Sequence, residues 1–191
     1  MEKNQLLAVK YEAFRIGVEK EALAAFMEVE SAGKGFDPTT GKLIIQFEPS
    51  WFRKLEPYAP SGKWSVNGVE RQAKEWEAFN SAFTIKKDSA MMATSIGIGQ
   101  VLGLHWNRLG YSSVGEMWDD AKRGEDRQIH QMAEFIRTDP VLLSALNIKD
   151  WDTVAKRYNG AKYKEMAKKW GREPYDISMR KAYEKYKTQK L

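Results

Sequence analysis

The sequence predicts a mostly α-helical single domain with one small β element near residues 42–48. Three observations carry this reading. Apolar residues recur at helical spacing along most of the chain. One stretch, Lys42 to Phe47, is strand-like and bounded by turn residues. No repeat, low-complexity block or linker divides the 191 residues. That length suffices for one domain with its own core.

Leu6, Leu7, Val9, Phe14 and Ile16 predict a first helix ending near Gly17. Leu23, Phe26 and Met27 place a second from about Lys20 to Ser31. Ser31 to Gly35 reads as a loop, and Asp37-Pro-Thr-Thr-Gly41 as a turn. Leu43, Ile44, Ile45 and Phe47 favour a strand, and Ser50 is the expected cap of a short helix from Trp51 to Leu55. Residues 57–69, with two prolines, two glycines and the Asn67-Gly68 pair, form an irregular excursion or small hairpin. A polar helix follows from about Glu70 to Phe83. Another, from about Asp88 to Thr94, leads into Gly97-Ile-Gly-Gln100. Further helices are expected at 115–123, 125–137, 140–146, 150–158 and 175–188. In the last, Tyr175, Met179, Ala182, Tyr183 and Tyr186 line one face.

Composition excludes several classes of function. Without cysteine there are no disulfides and no thiolate metal sites, and two histidines argue against a histidine-rich metal centre. Neither a metal nor an organic cofactor is expected. No apolar run approaches the roughly 20 residues of a membrane span. The opening MEKNQLLAVKYEAF lacks a basic start followed by an apolar stretch, so synthesis in a cytoplasm without a signal peptide is expected.

Net charge is +5, and it is uneven: Lys162 to Leu191 holds ten Lys/Arg against four Asp/Glu. A basic end suits an anionic envelope or acidic lipid. One reading is therefore a membrane- or envelope-binding protein acting through helix 175–188. The opposing reading docks that helix on the core by its aromatic stripe and leaves its lysines as a solvated face. Nucleic acid is not an expected partner, because a pI near 9.2 is unaccompanied by any recognised motif. A monomer is the default.

Three segments could carry chemistry. Glu30-Ser31 ends a helix beside a Gly-rich loop, where Phe26, Met27 and Val29 could desolvate the carboxyl group. Burial disfavours the charged form, so such a glutamate can hold a proton near neutral pH and act as a general acid. In Gly97-Ile-Gly-Gln100, two glycines permit close backbone approach to a ligand and the Gln100 amide can bond sugar groups. Tyr158-Asn159-Gly160 pairs a hydroxyl and an amide with a helix-stopping glycine. Taken singly, each is ordinary: a solvated glutamate, a tight turn, a helix end.

Their order resembles the lysozyme-like superfamily, including goose-type lysozymes and soluble lytic transglycosylases. The sequence is most similar to the N-acetylmuramidase domain of phage endolysins. The resemblance runs through Val29-Glu-Ser-Ala-Gly-Lys-Gly-Phe36, Ile44-Ile-Gln-Phe-Glu-Pro49, Ala93 to Gly103, and Tyr158-Asn-Gly160. It departs at Ile96, where the family usually has Trp, and at Pro49, where a basic residue often follows the glutamate. The resemblance implies a lysozyme-like fold and a substrate of peptidoglycan glycan strands, cut after N-acetylmuramic acid. It implies Glu30 as general acid and Tyr158 as support for the catalytic centre, through Glu30 or the sugar N-acetyl group. Ser31, Gln100 and Asn159 would bind substrate. Glu48, ending the strand, is expected across the cleft from Glu30, positioning the attacking water. The rival reaction on the same fold is that of a lytic transglycosylase, which leaves 1,6-anhydro ends. Synthesis in a host cytoplasm and action on the wall once the membrane is breached complete the expectation.

Overall fold

Helices dominate because the apolar spacing demands buried faces. The computed structural model describes residues 1–66, 68 and 71–189. In chain order the elements are α1 (Lys3–Ile16), α2 (Lys20–Ser31), β1 (Ile45–Phe47), α3 (Pro49–Leu55) and a 3-10 turn (Lys63–Val66). Next come α4 (Gln72–Phe83), α5 (Lys87–Met92), β2 (Thr94–Ile96), β3 (Val101–Leu102) and a second 3-10 turn (Gly103–His105). The remainder is α6 (Val114–Lys122), α7 (Glu125–Arg137), α8 (Pro140–Ile148), α9 (Trp151–Tyr158), α10 (Tyr163–Lys169) and α11 (Tyr175–Gln189). The fold is mostly α, with a small three-stranded antiparallel sheet in the order β1-β2-β3 among the described residues. The chain forms two compact units: residues 1–33 with 133–191, and residues 34–132.

In the first unit, α2 is the centre. Its residues from Ala22 to Met27 are all buried. α1 and α11 both pack on it. The final helix buries Tyr175, Met179, Ala182, Tyr183 and Tyr186, the stripe expected from the sequence. Trp151 of α9 meets Tyr183 at 5.3 Å between ring centres. α1 ends at Gly17, whose φ of +72° closes the helix in the left-handed conformation. Its inward face differs from the expected one: Gln5, Val9, Glu12, Ala13 and Ile16 are buried, whereas Leu7 and Phe14 face solvent. Arg15 compensates the buried Glu12 by pairing with it and with Glu134.

In the second unit, β1 pairs with β2 so that Ile45 faces Ile96 and Phe47 faces Thr94. Alternate backbone groups of the β1 region then point away from β2, and side chains of α4 meet them. The Gln72 amide bonds both the N–H and the carbonyl of Ile45. The buried Glu75 carboxylate accepts from the Phe47 N–H at 2.9 Å, and the Trp76 indole donates to the Leu43 carbonyl. A helix thus supplies what a fourth strand would supply. α7 pins the loops: Glu125 accepts from Gly35 N–H, and buried Gln128 accepts from Ile98 N–H while donating to the Ala121 carbonyl.

Several sequence expectations are corrected. The strand is shorter than Lys42–Phe47, although Leu43 makes an isolated bridge to Phe36. Ser50 does not cap α3: Glu48 sits at that position and Pro49 opens the helix, where its missing N–H costs nothing. The helix expected to reach Thr94 stops at Met92, and Thr94 begins β2. The stretch 97–100 is therefore the turn of a β-hairpin. α10 was not expected. Asn67, half of the suggested hairpin turn, and Glu70, the expected start of α4, lie outside the described residues.

Candidate active site

Glu30 occupies the last turn of α2, and the way that helix ends holds it in place. Ala32 and Gly33 both have positive φ, 52° and 73°. Their N–H groups return to the carbonyls of Glu28 and Met27, which satisfies two of the carbonyls that a helix end leaves over. Ser31 Oγ donates to the Met27 carbonyl at 3.2 Å, and Gln5 donates to the Gly33 carbonyl at 2.8 Å. The carboxyl group is therefore presented from a well-bonded helix terminus.

Tyr175, at the start of α11, donates its hydroxyl to Glu30 Oε1. The Tyr158 ring lies nearly parallel to Tyr175, with centres 6.4 Å apart. Tyr158 also packs against Phe26 at 4.6 Å and Phe135 at 5.1 Å. Burial pushes the Glu30 carboxyl up to about 7, against the opposing pull of the Tyr175 bond. Burial, reinforced by the Glu30 charge, holds the Tyr175 phenol protonated well above its ordinary range. Near neutral pH this glutamate is thus divided between its two forms, the condition a general acid needs.

Tyr158 was expected to support the centre through Glu30 or through the sugar N-acetyl group. In the structure Tyr175 donates to Glu30, and Tyr158 stacks its ring beside Tyr175. Periodicity alone does not separate Tyr175 from the other members of the α11 stripe, so its second role was not legible. Asn159 is exposed at the C-terminus of α9, and Gly160 follows with φ +101°.

The other expected residues belong to the second unit. Glu48 is half-buried and accepts from Gln46 Nε2 at 3.1 Å. Burial, and then the nearby Glu75 charge, raise its pKa, while the Gln46 bond opposes them. Gln100 has φ +46°, and its amide donates to the Gly97 carbonyl at 2.8 Å and the Ile44 carbonyl at 3.4 Å, closing the hairpin turn. The space that Gly97 and Gly99 leave is taken by α7 rather than kept for a ligand. A β-carbon at Gly97 would stand 2.7 Å from Gln128 Oε1, and one at Gly99 2.7 Å from Met132 Cβ.

Tyr175→Phe removes the bond that favours the Glu30 carboxylate, so the carboxyl pKa rises further. The alkaline limb of any activity that needs protonated Glu30 should then move up by roughly half to one pH unit. Paired pH–rate profiles check this, and an unmoved limb would refute the coupling.

Comparison with known proteins agrees with the fold. The Muramidase family, described as N-acetylmuramidase, matches residues 19–187. Among solved structures, the endolysin of Burkholderia phage AP3 superposes with a TM-score of 0.81 at 32% identity, over 97% of this chain and 71% of that one. Curated protein sequences yield no match. The family match spans both the Glu30 helix and the Tyr158-Asn159-Gly160 segment, and the chain belongs to the N-acetylmuramidase family of peptidoglycan-cleaving enzymes.

Proposed function

We propose that this protein hydrolyses the glycosidic bond between N-acetylmuramic acid and N-acetylglucosamine in bacterial peptidoglycan, with Glu30 as general acid. The observation that carries this reading is one carboxyl group, bonded by Tyr175 and raised by burial to about 7. Protonated Glu30 gives its proton to the bridging oxygen as the C1–O bond breaks and positive charge develops on the sugar ring. Water then adds at C1 and loses a proton. Glu48 is assigned to that water, since a desolvated carboxylate is the stronger base. Tyr158 supports the centre through the aromatic cluster, and Ser31, Gln100 and Asn159 are assigned to substrate. No step calls for a metal or an organic cofactor.

The setting we infer is a monomeric, single catalytic domain made in a host cytoplasm, reaching the wall once the membrane is breached. Digestion of purified sacculi followed by mass spectrometry tests the reaction: reducing muramic ends are expected. 1,6-Anhydro ends would replace hydrolysis by the transglycosylase reaction, in which the muramoyl 6-hydroxyl takes the place of water. Glu48→Gln should lower turnover by about a hundredfold, the usual scale for losing a general base. Near-normal turnover would remove Glu48 from the chemistry.

A further inference from the structure

α1 carries a surface used neither by packing nor by the proposed chemistry. Leu7, Tyr11 and Phe14 are 58%, 65% and 87% exposed, and their spacing aligns them along one side of the helix. Lys3 and Lys10, both exposed, fall on the same side. Of the acidic residues in this segment, Glu12 is buried and paired with Arg15, and Glu2 is engaged in the capping box at the helix start. The stripe is therefore apolar and cationic, and carries no carboxylate of its own.

We propose that α1 is the surface by which this protein lies on a bilayer rich in anionic phospholipid. Leu7, Tyr11 and Phe14 enter the headgroup region, and Lys3 and Lys10 meet the lipid phosphates. That division of labour is how helices bind in the interfacial plane. Spanning is not involved: among the described residues no helix is long and apolar enough to cross a membrane. A second copy of the chain is a poorer occupant, because three side chains on one helix fall well short of the roughly 800 Å² per partner that a stable pair buries. The basic helix α11 does not offer the same surface. Its aromatic stripe is buried, and Lys181, Lys185 and Lys187 are paired with Glu173, Glu28 and Glu19.

The test is co-sedimentation of the full chain with phosphatidylglycerol vesicles and with phosphatidylcholine vesicles, at low and physiological salt. The expected result is at least about tenfold stronger partitioning onto the anionic vesicles. Leu7→Ser/Tyr11→Ser/Phe14→Ser should lower that partitioning by a further tenfold or more, with thermal midpoint and lysis of purified sacculi unchanged. Equal binding by the triple variant and the parent overturns the proposal. So does loss of binding only on Lys181→Gln/Lys185→Gln/Lys187→Gln, which would move the surface to α11. A dimer in analytical ultracentrifugation that the triple variant dissolves, with vesicle binding intact, would likewise overturn it in favour of self-association.

Discussion

Glu30→Gln should reduce cleavage of purified sacculi by about a thousandfold or more, within the range expected when a positioned acid is lost. The amide keeps the size of the side chain and can still accept from Tyr175, so the fold should survive and the loss should be chemical. The same substitution should change stability, with a sign set by pH. The folded carboxyl holds its proton up to about 7, above the ordinary value of 4.5. Ionisation therefore destabilises the folded state, a cost absent below about pH 4.5 and complete above about 7. After allowance for partial solvent access, the cost is about 2 kcal/mol. Glu30→Gln removes it, so the variant should melt several degrees above the parent at pH 8 and close to it at pH 4. Parent activity should fall as pH rises through 7. Melting curves at both pH values, beside muropeptide release, check both halves. A variant that lyses normally would end the assignment of Glu30.

Gly103→Ala should be the most damaging small substitution away from the site. A β-carbon there would stand 2.1 Å from the Met91 carbonyl oxygen and 3.0 Å from its carbon. Those are backbone atoms at the end of α5, and they cannot rotate aside as a side chain could. The same carbonyl accepts from the Trp118 indole at 3.3 Å, so displacing it also weakens a bond to α6. Overpacking of this kind costs roughly 3 kcal/mol. For a chain of this size that lowers the melting midpoint by about 10 °C. Differential scanning calorimetry measures it, and a shift under about 2 °C would mean that the contact relaxes freely.

The helices with strong apolar stripes were legible in the sequence, and so was the glutamate. α2 runs from Lys20 to Ser31 as expected, because Leu23, Phe26 and Met27 repeat at helical spacing and Gly33 lies just beyond. α10 escaped because Tyr163–Lys169 is mostly charged and buries only Tyr163 and Ala167. β2 and β3 escaped because strands of three and two residues are too short to show alternation. The site was half visible. Glu30 stands beside turn residues that mark a helix end, whereas Tyr175 reaches it from 145 positions away. Only tertiary packing brings such a pair together.

Three polar or aromatic side chains on α4 close the outer border of β1, and this has a consequence outside catalysis. An uncovered strand border is a template on which another polypeptide can pair, the usual route to insoluble assembly. Gln72, Glu75 and Trp76 occupy the groups an intruder would seek. Gln72 therefore acts as a guard against self-adhesion, holding both backbone groups of Ile45 that a pairing strand would need.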